Sequence, residues 1–281
     1  MVCRVAIELA DQWLRALNHL RYQPTDKRIR ALAGDRTVVD SLSAVLVWEP
    51  RRVTPYYAVP ERDVLVPLVA AGRRPRAPAP PTADGRAVLP HGGFRAHTVP
   101  GEELSIRAPG WGTDRRLDAV AFRPADPDLS GYVVLDFDAF DRWLEEEEPI
   151  EGHPRDPYHR VDVRRSARHV RILLGDKVLA ESSRPRLVFE TLLPVRFYLP
   201  REDVDQRLLR PSARRTVCPY KGEAVYWSVQ LSAYVVEDLA WSYPKPLPAA
   251  ADVAGLVCFF DERVETVVDG TRRERPHEHW A

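Results

Sequence analysis

Short alternations of apolar and polar residues dominate the chain, and long helical stripes are few. RIRAL, RTVVD, HVRIL and KVLAE place apolar residues at every second position, the period of a half-buried strand. Gly34-Asp35 joins the first two strings and Gly175-Asp176 the second two. Such a pair signals a hairpin turn, because glycine accepts backbone angles that its neighbours do not. LVFE and VRFYLP supply further strands, and AVYWSVQLSAYVV, rich in aromatic and β-branched residues, supplies one or two more. The nearly unbroken apolar AGLVCFF reads as a buried strand. Pro200 and the acidic residues after it suit the first turn of a short helix. Two longer helices are expected. One is N-terminal, on the helical spacing of Ala6, Leu9, Trp13, Leu17 and Leu20. The other is acidic, from Asp138 to about Glu147, with Phe140, Trp143 and Leu144 on one side. GRRPRAPAPPTADG, from Gly72 to Gly85, is a proline-rich excursion without structure of its own.

The elements occur twice. Gly34, Asp35, Asp40, Ser41 and Glu49 correspond to Gly175, Asp176, Glu181, Ser182 and Glu190. PYYAVPERDV then corresponds to VRFYLPREDV, and GYVVLDFD to GLVCFFDE. Three matches in one order imply a duplicated domain. The expected fold is mostly β: two similar small β-sheet domains, with an N-terminal helix and the acidic helix between the units. Residues 1–27 form a lead-in, 28–144 the first copy, 145–167 a linker, 168–270 the second copy and 271–281 a polar tail.

Composition narrows the function classes. With 281 residues and 44% hydrophobic content, the chain has material for two cores. Its 41 basic and 41 acidic residues cancel, which argues against a general nucleic-acid binder. No run approaches the roughly 18 apolar residues of a spanning helix. The opening MVCRVAIELADQW carries two acidic residues, unlike a secretory signal, so a soluble cytoplasmic protein without a membrane partner is expected. Three cysteines without a CxxC pair exclude a disulfide framework and a four-thiolate zinc site.

The chemistry-bearing residues concentrate in TVCPYKGEAVYWSV, Thr216 to Val229. Cys218 is the candidate nucleophile, with Lys221 or Arg215 favouring its thiolate and His169 as the nearest histidine in sequence. The alternative is a small apolar residue packed where a loop enters a sheet. Pro219 and Gly222 make Cys218 to Gly222 a rigid turn that would either aim Lys221 at an anion or leave it in solvent. Tyr220, Trp227, Trp241 and Tyr243 would wall a small-molecule site, or else fill a core. In HPRDPYHRVDV, Pro154 and Pro157 keep His153, Asp156 and His159 off one helical face, so no metal is expected. Arg155 and Arg160 would pair with Asp156 and Asp162, or close the site by holding a carboxylate or phosphate. The first copy has HGGFRAHTVPGEELSI where the second has CPYKGEAVYWSV, so any site belongs to the second.

CPYKG, WSYPKPLP and GLVCFF, in that order, resemble the bacterial domain-of-unknown-function 427 family, sometimes labelled nucleotidyltransferase-like. The resemblance covers nearly all of the second copy and much of the first. It implies a small, mostly β domain related to a tent-shaped fold, although the zinc cysteines of such relatives have no counterpart here. It brings no established reaction. Neither a Gly-Ser element with paired metal carboxylates nor a glycine-rich phosphate loop is present, against the transferase label. The sequence therefore points to a small polar metabolite bound in the second domain, with no cofactor. A thiol enzyme using Cys218 and a structural or interaction module are the alternatives.

Overall fold

The computed structural model describes residues 6–72, 93–107 and 117–276. Cys3 and the proline-rich stretch beyond Gly72 lie outside the described residues. The chain divides into two units near Asp156. The first contains α1 (Leu9–Ala16), β1 (Arg21–Pro24), β2 (Ile29–Ala33), β3 (Arg36–Ser41), β4 (Val45–Trp48), β5 (Tyr56–Pro60) and β6 (Leu68–Ala70). It continues with β7 (Gly101–Ile106), β8 (Leu117–Pro124), β9 (Tyr132–Leu135), β10 (Arg142–Glu145) and β11 (Glu148–Ile150). The second begins with β12 (Val161–Arg165), β13 (Val170–Leu174), β14 (Lys177–Ser182), β15 (Arg186–Glu190) and β16 (Arg196–Leu199). Then come β17 (Leu209–Cys218), β18 (Gly222–Gln230), β19 (Val235–Ser242), β20 (Val257–Phe259), β21 (Glu265–Val268) and β22 (Thr271–Arg272).

Each unit holds two antiparallel sheets. In the first unit the orders are β1-β4-β5-β9-β8-β7-β6 and β11-β10-β2-β3. In the second they are β12-β15-β16-β20-β19-β18-β17 and β22-β21-β13-β14, the same path strand for strand. Gly34 and Gly175 both sit at φ 59° in the hairpin turns, where a side chain would be strained. Ser41 donates to Asp63 and Ser182 to Asp203, each at 2.7 Å, fixing matched 3-10 turns over Glu61–Asp63 and Arg201–Asp203.

The irregularities repeat as well. Val38 bulges from β3 opposite Ala31–Leu32, and Leu179 from β14 opposite Ile172–Leu173. Another lies in β8 opposite Leu104–Ile106, and in β19 opposite Trp227–Val229. At that second bulge the buried Ser105 and Ser228 hydroxyls accept the N–H groups of Ala119 and Asp238, which stand at φ 53° and 50°.

In the second unit the sheets share a core that includes Ile172, Phe197, Val229, Leu239 and Phe259. The other face of the seven-stranded sheet carries Tyr198, Tyr226, Trp241, Tyr243 and Cys258 under a 3-10 segment, Pro248–Val253. Thus the central strands of the larger sheet are buried on both sides, which explains the nearly continuous apolar run of β20.

Three expectations change. The acidic helix is absent: Phe137–Ala139 is a 3-10 turn, followed by the β10–β11 hairpin with Glu146 at φ 52°. A helix ending in four glutamates would oppose its own dipole. In the hairpin Glu145 meets Lys27, Glu146 accepts the N–H of Arg28, and Glu147 meets Arg30. The N-terminal helix is present but shorter than its apolar stripe. It buries none of its residues, and Leu20 packs on the core from beyond its end. The segment 145–167, expected as a linker, contributes β11 and β12; the alternation of VDVRR is masked by its charged residues. Among the described residues no helix is long and apolar enough to cross a membrane.

Ser105→Ala strands the buried N–H of Ala119 and should cost about 1–3 kcal/mol, the penalty of an unsatisfied buried donor. Ser228→Ala should cost less, because its hydrogen bond to Asp238 is only part-buried. Urea unfolding of both variants measures this; unchanged midpoints would mean that the hydroxyls do not hold the bulges.

Candidate functional site

β17 and β18 meet in the turn expected from Pro219 and Gly222. Lys221 donates its backbone N–H to the Cys218 carbonyl at 3.2 Å, and Gly222 adopts φ 95°. A side chain at Gly222 would also stand 3.2 Å from the Lys245 carbonyl. The turn directs Lys221 inward over the outer face of the large sheet. There its ammonium lies 2.5 Å from each carboxylate oxygen of Glu190, at the end of β15. His159, just before β12, faces the same carboxylate at 3.4 Å and packs at a tilt on Tyr220, with ring centroids 4.4 Å apart.

The electrostatics follow from burial and pairing. Burial pushes the Glu190 carboxyl up. The His159 hydrogen bond and the Lys221 charge outweigh that and bring it down to about 2, so the carboxylate is ionised and His159 is the donor. Around it, burial raises the Tyr198 and Tyr243 hydroxyls and the Cys258 thiol well above their ordinary values. Trp241 donates its indole N–H to the Tyr198 hydroxyl at 3.0 Å. The region is a closed polar centre in an aromatic core.

The structure separates the predicted residues. Tyr220, Lys221, Trp241 and Tyr243 lie on the outer face, but Lys221 is only 9% exposed and engaged by Glu190, while Trp241 and Tyr243 are core. Trp227 pairs with Ala240 and faces the opposite side, under the Arg201 guanidinium at 4.6 Å. A strand alternates its faces, so Trp227 cannot share a wall with Trp241. Cys218 is half-buried at the end of β17. His169, the histidine considered as its base, is engaged by Glu181 at 2.9 Å on the small sheet. Arg160 pairs with Asp162, which also binds Arg164 at 2.7 Å. Arg155 is exposed in the first unit.

An open cleft of about 650 Å3 lies elsewhere in the second unit, lined from both of its sheets. Leu187, Phe189, Val195 and Phe197 form its apolar wall, and Arg164, Arg165, Arg168 and Arg273 its polar one. Phe189 is 41% exposed, unusual for a phenylalanine on a sheet. Arg164 answers to Asp162, and Arg273 stacks over Phe197 at 4.9 Å. The side chains of Arg165 and Arg168 have no carboxylate partner among the described residues. Sequence reasoning missed this cleft. The signal was the run VRRSARH, whose three arginines stand where the first copy has Gln23, Pro24 and Lys27.

Residues 162–270 match a family described as a domain of unknown function, DUF427. The match lies within the second unit and agrees with the resemblance carried by CPYKG, WSYPKPLP and GLVCFF. No curated protein matches the chain.

Breaking the buried pair leaves a charge without its partner, so Lys221→Met should destabilise the protein by about 3–5 kcal/mol. The double variant Lys221→Met/Glu190→Leu should lose less than the two single losses added together. Glu190 is depressed from 4.5 to about 2 on folding. Its stabilisation is therefore complete above pH 4.5 and lost as the pH falls towards 2. Chemical denaturation of the four proteins between pH 2 and 7 (roughly the range spanning both values) checks both statements. Additive losses, or an unchanged acid limb in the double variant, would show that the pair is not coupled.

Proposed function

We propose that this protein is a binding protein whose second unit takes a small polar metabolite in the arginine-lined cleft. One observation carries the reading: cations without carboxylate partners stand beside exposed apolar surface in a concavity of ligand size. Tyr220, Lys221, Trp241 and Tyr243, expected to wall the site, support the scaffold instead. Lys221 spends its charge on Glu190, and a ligand anion there would have to displace a buried carboxylate.

The thiol-enzyme alternative has less support. A cysteine nucleophile needs a base or a neighbouring cation that favours the thiolate. His169 is engaged by Glu181, and Lys221 and His159 by Glu190. Cys258 is fully buried with its thiol pushed up, which makes it inert in the native fold.

A metabolite panel screened by thermal shift tests the proposal. A ligand at a hundred times its dissociation constant adds about 2.7 kcal/mol of stability, a rise of several degrees. Wild type and Cys218→Ser should respond alike to a hit, and Val195→Trp, which fills the cleft, should not respond. If no compound stabilises the wild type, or if Val195→Trp responds as the wild type does, the proposal fails.

A further inference from the structure

We infer that the ligand of this cleft is an anion carrying an aromatic or branched apolar body, such as an aryl carboxylate or phosphate. The inference rests on the binding reading above and adds the chemical class. It comes from comparing the two copies, which build the same place on one backbone with opposite chemistry.

The equivalence is fixed by strand register. Asp162 pairs with Phe189 and Arg165 with Arg186 in the second unit, as Arg21 pairs with Trp48 and Pro24 with Val45 in the first. The crossover from the large sheet to the small one is also shared. Ser166 donates its N–H to the Pro185 carbonyl at 3.1 Å, and its hydroxyl accepts the N–H of Arg168 at 3.2 Å. In the first unit Thr25 donates to Ala44 at 3.2 Å and accepts from Lys27 at 3.4 Å. Lys27 thus holds the place of Arg168.

The surroundings of that cation differ. Lys27 lies 2.5 Å from the Glu145 carboxylate, which also accepts the Tyr57 hydroxyl at 2.6 Å. Glu145 faces Ile29 across its ladder, and Val268 faces Val170 in the same position of the second unit. Tyr57 opposite Leu46 becomes Phe197 opposite Leu187. The second copy therefore keeps the cation, removes the carboxylate that satisfies it and the hydroxyl that holds that carboxylate, and adds Arg165 in place of Pro24. The remaining carboxylate of the cleft, Asp269, accepts the backbone N–H of His169 at 2.9 Å and forms no ion pair with either arginine among the described residues. Arg273 adds a further positive charge where the first unit has Ile150, opposite Trp143.

The apolar half diverges in parallel. Trp48 is 4% exposed, whereas Phe189 in its place is 41% exposed. Uncovered phenylalanine beside uncompensated guanidinium groups fits a ligand with an apolar body and an anionic head. The planar forks of Arg165 and Arg168 suit two-point contact with a carboxylate or phosphate. The ring supplies contact area and stacking. A bare anion would leave Phe189 wet, and a neutral apolar compound would leave the arginines unused.

Titration of the full chain with phenyl phosphate, inorganic phosphate and phenol, followed by calorimetry and amide chemical shifts, tests the class. Phenyl phosphate should bind at least about tenfold more tightly than either fragment, since each half contributes the equivalent of one charge-assisted hydrogen bond or more. Arg165→Gln and Arg168→Gln should each weaken phenyl phosphate about tenfold and leave phenol unchanged. Phe189→Ala should weaken phenyl phosphate and phenol but not phosphate. Lys27→Gln, in the first unit, should change nothing. If a neutral or cationic compound binds in a manner blocked by Val195→Trp while phenyl phosphate does not, the inference falls and the binding reading stands. If nothing binds, both fall. A single-stranded oligonucleotide that displaces phenyl phosphate through the same arginines and binds more tightly would overturn the small-ligand class.

Discussion

A carboxylate removed from water at one strand position governs the architecture of both units. Glu190 ends β15 and Glu49 follows β4, and each lies on the outer face of a seven-stranded sheet. An unpaired buried carboxylate costs several kcal/mol, so the surrounding chain must bring a cation or donors to it. In the second unit Lys221 arrives from the β17–β18 turn, separated from β15 in the sheet by β16, β20 and β19. In the first, His97 and the N–H of Thr98, in the segment leading to β7, reach Glu49 at 2.8 and 2.6 Å, with Arg52 at 4.0 Å. Burial again opposes ionisation, and these partners again hold the carboxyl below its ordinary value. Different residues thus make the same clasp, Lys221 in one unit and His97 with Thr98 in the other.

The repeated elements were legible because turn residues report the backbone directly. Gly34 and Gly175 mark matched hairpins, and Pro60 and Pro200 mark matched 3-10 turns, whatever the tertiary setting. The acidic segment was misread because its apolar residues, Phe140, Trp143 and Leu144, suit a helix as well as a turn and a strand. What decided the matter was distant in sequence: Lys27, Arg28 and Arg30 meet the glutamates across the β2–β10 ladder. β12 escaped notice because an edge strand needs few apolar residues, and VDVRR has only two.

The closed centre around Lys221 and Glu190 was legible as a place but not as a state, and the arginine-lined cleft was not legible at all. The turn at Cys218–Gly222 forms as its residues dictate, yet no local pattern reveals that Lys221 meets Glu190, since that pairing depends on the stacking order of strands. Trp227 and Trp241 stand out equally in the sequence, and only register assigns them to opposite faces. Glu49 and Glu190 were matched as repeat markers without a reason for both being acidic. Their shared burial supplies that reason.

The placement of β12 bears on where the second unit can be cut from the chain. A fragment begun at the apparent repeat boundary, Arg168, would lack the strand that covers the free edge of β15. The exposed hydrogen-bonding groups of β15 would then lie beside the ring of Phe189, a combination that invites strand addition by other molecules and aggregation. The same cut would discard His159, and with it the ring contact on Tyr220. A fragment that starts ahead of His159 keeps the sheet edge closed, so the boundary for expressing this unit is set by strand pairing and not by where sequence similarity becomes visible.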